Sequence, residues 1–221
     1  MRQAGSESWR FAHDIDQTLH ALLYIRDAVG LDLAEAIGIP PRLAGEVPDR
    51  SNLLDAEERR DAARDWPAWW QAAVAAQAKT QLEPPGADTE GRLREITARH
   101  RTVADPPEWL SLSARPALRH AARNLYLEAC RWFNPARQPL LPPARREVFA
   151  WELVRDIAEA TAVEHGVSVG VINGCALVLI VEGNWWELAS PGVALCSVAA
   201  ATNPDTTQAV LRKVLASPFA A

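Results

Sequence analysis

The chain has 221 residues, a net charge of −5, 48% hydrophobic and 23% charged residues. That length can bury a core as one medium domain or two small ones, and the balance is ordinary for a soluble globular protein. The negative net charge argues against a general polyanion binder, so nucleic acid is not an expected partner of the molecule as a whole.

Nine tryptophans against two tyrosines and four phenylalanines are the compositional oddity. Lys79 and Lys213 are the only lysines among 23 basic residues, which, with abundant alanine, is associated with a GC-rich bacterial genome. Cys130, Cys175 and Cys196 show no CxxC spacing, which disfavours a disulfide framework or a cysteine-rich zinc site. MRQAGSESWRF has no apolar signal region, and the apolar run over 175–181 is too short to span a bilayer. A soluble, reduced, cytoplasmic protein with no membrane partner is expected.

Over residues 9–29 the apolar residues Phe11, Ile15, Leu19, Leu22, Leu23 and Val29 fall on one helical face, predicting a helix ended by Gly30. A short helix is expected over 31–37, before Pro40-Pro41. A third starts near Asp55, breaks at Trp66-Pro67 because the residue before proline disfavours helix, and resumes through AWWQAAVAAQAK. LEPPGADTEG reads as a loop, and 89–101 as the next helix. Ser113 is the expected N-cap of a helix carrying Pro116 in its first turn and Leu118, Ala121, Ala122, Leu125, Ala129 and Trp132 on one side.

NPARQPLLPP, residues 134–143, reads as a proline-rich linker between a helical region (1–133) and a distinct C-terminal unit (144–221). The latter opens with a helix over 147–164 that turns Val148, Trp151, Val154, Ile157 and Ala158 inward. Four strands are then expected at VSVGVI, CALVLIVE, WWEL and VALCSVA, followed by a last helix capped at Thr202-Asn203-Pro204-Asp205. Short turns between strands predict an antiparallel meander, with CALVLIVE central because it is apolar on both faces. The expected class is α+β: mostly helical, then a helix, a four-stranded antiparallel meander and a helix.

Gly166-Val167-Ser168-Val169-Gly170 matches the esterase pattern G-x-S-x-G. A nucleophile elbow needs strand, serine, helix, with the histidine later in the chain. Here the helix precedes Ser168, and the last histidine is His165. Gly166 is the expected helix C-cap and Asn173-Gly174 the expected hairpin turn, pairing Ser168 with Leu179 across two strands. Cys175 begins an apolar strand with no cation beside it in sequence, so it reads as a small hydrophobe and not a nucleophile.

HDIDQTLH places His13, Asp16 and His20 at spacings of three and four, one face of a helix and a weak metal-ligand pattern opposite the apolar stripe. LAEAIGIPPRLAGEV resembles a helix-turn-helix in the positions of Ala34, Gly38 and Ala44, but Pro40-Pro41 and Pro48 leave too few residues for a recognition helix. Arg115, Arg119 and Arg123 recur every four residues, a stripe suited to phosphate or an acidic partner. Trp66, Trp69 and Trp70 share a helical face and are expected in the core. Trp185 and Trp186 must point to opposite faces of a strand, which leaves one of them to anchor an interface.

No phosphate loop, dinucleotide fingerprint, HExxH or EF-hand pattern occurs. No cofactor, metal or catalytic residue is therefore expected. The leading expectation is a non-catalytic interaction protein, a homodimer or an adaptor, using Trp185 or Trp186. The alternatives are a small-molecule site or enzyme near His165, Ser168 and Cys175, and phosphate or nucleic-acid binding through the arginine stripe.

Overall fold

The computed structural model describes residues 9–33, 38–83, 89–138 and 148–220. The fold combines helix with a mixed four-stranded sheet in which β1 (Arg10–Asp14), β2 (Asn173–Leu179), β4 (Val193–Ser197) and β3 (Trp186–Ser190) lie in that order. β1 and β4 both run parallel to β2, and only β3 and β4 form an antiparallel pair. The antiparallel meander is thus overturned. Two of its expected pieces explain why.

VSVGVI is not a strand. Ser168 accepts the Gly170 N–H through its own hydroxyl at 3.2 Å, capping a 3-10 turn over Val169–Val171. A local side-chain bond of this kind competes directly with ladder formation. Asn173 and Gly174 are not a turn either, because both lie within β2. A Cβ on Gly174 would stand 2.7 Å from Val214 Cγ1 and 2.9 Å from Leu215 Cδ2, so glycine is required there for close packing. The fourth strand comes instead from the N-terminal stretch expected to be helical: β1 occupies Arg10–Asp14, and α1 begins only at Gln17, capped by Asp16.

The chain clusters into two compact units. The sheet unit gathers Met1–Ile15, Leu140–Leu179 and Gly183–Ala221. Its core packs Ala176, Val178, Ala194 and Cys196 of the sheet against α5 (Trp151–His165), α6 (Val198–Thr202) and α7 (Pro204–Ala216). β2 is interior and buried on both faces, as its continuous apolar run predicts. α5 ends at Gly166 in the left-handed region (φ 62°), and α7 begins with Asn203 as N-cap and Pro204 in the first turn. Both follow the expected capping chemistry. α5 starts at Trp151, later than expected, so Val148 lies ahead of the helix. Trp151 is 58% exposed and packs on Trp9 at 4.4 Å instead of facing inward.

The helical unit holds Asp16–Pro139 and Ile180–Glu182. It contains α1 (Gln17–Ala28), α2 (Ala56–Leu82), α3 (Thr89–Arg101) and α4 (Pro116–Arg137). α2 opens with a capping box between Asp55 and Glu58 and runs unbroken through Pro67. Trp66, Trp69 and Trp70 are fully buried around that proline, and burying three indoles outweighs the roughly 3 kcal/mol cost of an interior proline. α4 likewise continues through Pro135 to Arg137, so the first residues of the expected linker are helical. Its N-cap is Arg115, not Ser113. Residues 38–50 contain no helix, and the expected short helix at 31–37 is absent at 31–33, with 34–37 outside the described residues.

A buried polar network fixes the start of the 40–50 stretch. Arg26 pairs with Asp27 at 2.7 Å and donates to the carbonyls of Pro40 and Pro41, while Asp27 accepts the Leu43 N–H at 2.8 Å. Residues 42–44 then bond 180–182 through Ala44 N–H to Ile180 carbonyl (3.0 Å) and Glu182 N–H to Arg42 carbonyl (2.9 Å). The Arg26 guanidinium and the backbone N–H groups of Leu43, Ala44 and Glu182 each find an acceptor, which burial demands. Among the described residues no helix is long and apolar enough to cross a membrane.

Candidate functional site

His165, Ser168 and Cys175 lie in three different environments. Ser168 is exposed and engaged as the cap just described, while His165 packs on the Phe219 ring at 5.3 Å. Cys175 has no exposed surface, and burial pushes its thiol up to about 12, so the thiol stays protonated at neutral pH. Cys196 is buried and pushed up to about 12 for the same reason. Cys130 is half-buried and accepts from the Gln17 amide at 2.8 Å.

The His13–Asp16–His20 face does not exist, because β1 separates His13 from the helix carrying His20. His13 is exposed near Phe149, and Asp16 caps α1 by accepting the Leu19 N–H at 2.8 Å. His20, expected on a solvated face, is fully buried. Its Nε2 accepts the Ile180 N–H at 2.9 Å, which places the proton on Nδ1, where it donates to the Asp16 carbonyl at 2.6 Å. Both ring nitrogens are occupied by protein. Desolvation lowers its pKa to about 4 against the opposing pull of the Asp16 carbonyl, so the ring is neutral at pH 7. Among the described residues no group of three His, Cys, Asp or Glu side chains can hold a metal ion.

The arginine stripe is also partly dissolved. Arg115 sits at the N-cap position outside the helical dihedrals, with φ −130°. Arg119 and Arg123 remain on α4 and line a concavity of about 590 Å³ with Ser113, Pro116, His120 and Asn124. Arg119 donates Nε and Nη2 to the Glu108 carbonyl at 3.0 and 2.8 Å, which fixes its guanidinium plane.

Trp185 and Trp186 are both half-buried. The Trp185 backbone brackets Ser197, donating to its hydroxyl at 3.1 Å and accepting its N–H at 2.8 Å. Trp186 stands opposite Cys196 in the register, on the sheet face that packs against the helices. From there it reaches a groove of about 700 Å³ between α5 and α7. The apolar lining is Leu153, Ile157 and Ala160 from α5 with Ala209 and Ala216 from α7. The charged lining is divided by helix: Asp156 and Glu164 on α5, Arg212 and Lys213 on α7. Asp156 pairs with Arg155 at 2.8 Å, whereas Glu164, Arg212 and Lys213 have no ion-pair partner among the described residues.

The sequence pointed to Trp186 but not to the helical walls around it. Leu153, Ile157 and Ala160 recur at spacings of four and three, which marks a second apolar stripe on α5. His120 and Asn124 each follow an arginine of the stripe by one residue, a neighbourhood that arginine spacing alone does not mark. Comparison of the chain with protein-family models, curated proteins and solved structures finds no match.

Proposed function

We propose that this protein is a non-catalytic interaction protein that associates with a second copy of itself through the groove between α5 and α7. The observation that carries this reading is the groove's division of charge around a half-buried tryptophan. Under two-fold symmetry, the acidic α5 wall of one copy meets the basic α7 wall of the other, twice per interface. Charge complementarity of this kind sets register, while Trp186 supplies the desolvated anchor. Val163, 83% exposed on α5 and three residues beyond Ala160, extends the apolar area beside the groove. Three free cysteines support a reducing, cytoplasmic setting for this association.

Sedimentation analysis of the purified chain tests the reading, with a reversible monomer–dimer equilibrium as the expected result. The double variant Arg212→Glu/Lys213→Glu presents two acidic walls, and Asp156→Arg/Glu164→Arg presents two basic ones. Each alone is expected to dissociate at least about tenfold more readily, and mixing them restores a heterodimer. These residues are exposed, so folding is retained where Trp186→Ala would disturb the sheet. A wild-type chain that is monomeric at every concentration, or variants that do not rescue each other, overturns the proposal.

A further inference from the structure

We propose that the concavity at the start of α4 binds a phosphate group, presented by a small phosphate monoester or as the free anion. Arg119, His120 and Arg123 line it together with Ser113, Pro116 and Asn124, and no carboxylate is among them. Two guanidinium groups one turn apart on a helix repel each other, and a dianion between them relieves that repulsion. They are also unequal in readiness. Arg119 is already held in plane by the Glu108 carbonyl, which occupies two of its five donors and leaves the rest for a ligand. Holding a guanidinium in advance reduces the ordering entropy that binding would otherwise cost.

Arg123 and the His120 ring have no hydrogen-bond or ion-pair partner among the described residues. The Asn124 amide N–H donates to the His120 carbonyl at 2.8 Å, which leaves its side-chain oxygen to accept from a ligand hydroxyl. Ser113 adds a hydroxyl that can donate to a phosphate oxygen. The donors therefore exceed what the protein itself uses. Arg115 does not line the concavity, so Arg119 and Arg123 border one concavity and the three arginines do not form a continuous track. A single concavity suits one phosphoryl group, whereas a nucleic-acid backbone needs successive contacts along its length.

Calorimetric titration of the full chain with inorganic phosphate and with phenyl phosphate, against sodium chloride at matched ionic strength, tests the proposal. Saturable binding of both phosphates is expected, and the ratio of the two affinities separates an ester site from a free-anion site. Arg123→Gln removes one charge-assisted contact and is expected to weaken both by at least about tenfold. Arg94→Gln, an exposed arginine of α3, leaves both unchanged. Arg123 is exposed, and an unaltered far-UV circular dichroism spectrum verifies that the variant is folded. Heat that follows ionic strength alone, or unaltered binding in Arg123→Gln, overturns the proposal. So does an oligothymidylate that displaces phenyl phosphate at lower concentration than inorganic phosphate does.

Discussion

The two units bury different kinds of polar group. In the helical unit the buried polar side chains are His20, Arg26 and Gln77, and two of its buried indoles, Trp66 and Trp69, donate to the carbonyls of Leu22 and Val103. In the sheet unit they are Thr161, Ser197 and Thr207, hydroxyls without charge, and its core holds the buried alanines Ala158, Ala162, Ala176, Ala194, Ala200 and Ala201. One unit is specified by directional bonds to ionisable and aromatic groups, the other by close approach of small side chains. The first should respond to pH and to loss of large rings, the second to added volume.

The largest effect expected from that contrast is at Trp66. Its ring stacks on Trp70 at 5.4 Å, lies beneath the Arg26 guanidinium and donates to Leu22. Trp66→Ala is expected to cost about 3–5 kcal/mol, read from urea midpoints at constant slope. A loss below about 1 kcal/mol would remove the indoles from the account of the helical unit.

Acidification comes next. His20 titrates near 4 in the fold and near 6.5 when unfolded, so the folded state takes up its proton less readily. The stability it contributes is fully present above pH 6.5 and is lost as pH falls toward 4, a total of about 3 kcal/mol. Urea titrations at pH 7 and pH 5 should therefore show a decline of about 2 kcal/mol in the wild type that His20→Gln lacks. Stability that rises on acidification in the wild type relative to the variant would contradict the buried neutral ring.

The smallest of the three lies in the sheet unit. Gly174→Ala drives a methyl against Val214 and Leu215, both fully buried, at an overpacking cost of about 1–3 kcal/mol. Restricting the unfolded chain returns about 0.4–1 kcal/mol of that. The net loss should be equal at pH 7 and pH 5, because the atoms a Gly174 methyl would meet belong to Val214, Leu215 and the Gly192 carbonyl, none of which titrates. A pH-dependent loss would blur the distinction between the units.

Local signals in the sequence agree with the structure where local chemistry decides it. Gly166, Asn203-Pro204 and the capping residues of the α2 start act through bonds within a few residues, and the helix over 89–101 stands as expected. β1 was illegible for the opposite reason. Phe11, Ile15 and Leu19 satisfy a helical period, while the partner that makes 10–14 a strand lies at 173–177, and parallel pairing leaves no turn signature nearby. Asn173-Gly174 carries the strongest hairpin signal in the chain, yet its glycine serves the approach of α7. Proline misled at Pro67 because burial of the surrounding indoles overrode propensity, and at Pro135 because α4 runs on two residues past it before ending. Of the site residues, Trp186, Arg119 and Arg123 were visible by type and spacing. The walls around Trp186 depend on α5 and α7 packing side by side, which spacing within one helix does not encode, whereas the neighbours of Arg119 and Arg123 lie on α4 itself.

β1 has a consequence for biosynthesis. It leaves the ribosome some 160 residues ahead of its partner β2, at 173–179. At about 5–20 residues per second, the segment waits on the order of 10–30 s with its backbone groups unpaired. During that interval Arg10, His13 and Asp14 keep a strand-forming stretch hydrated and charged, which discourages pairing between nascent chains. Of the four strands β1 waits longest for its partner, and its polar residues protect it until β2 emerges.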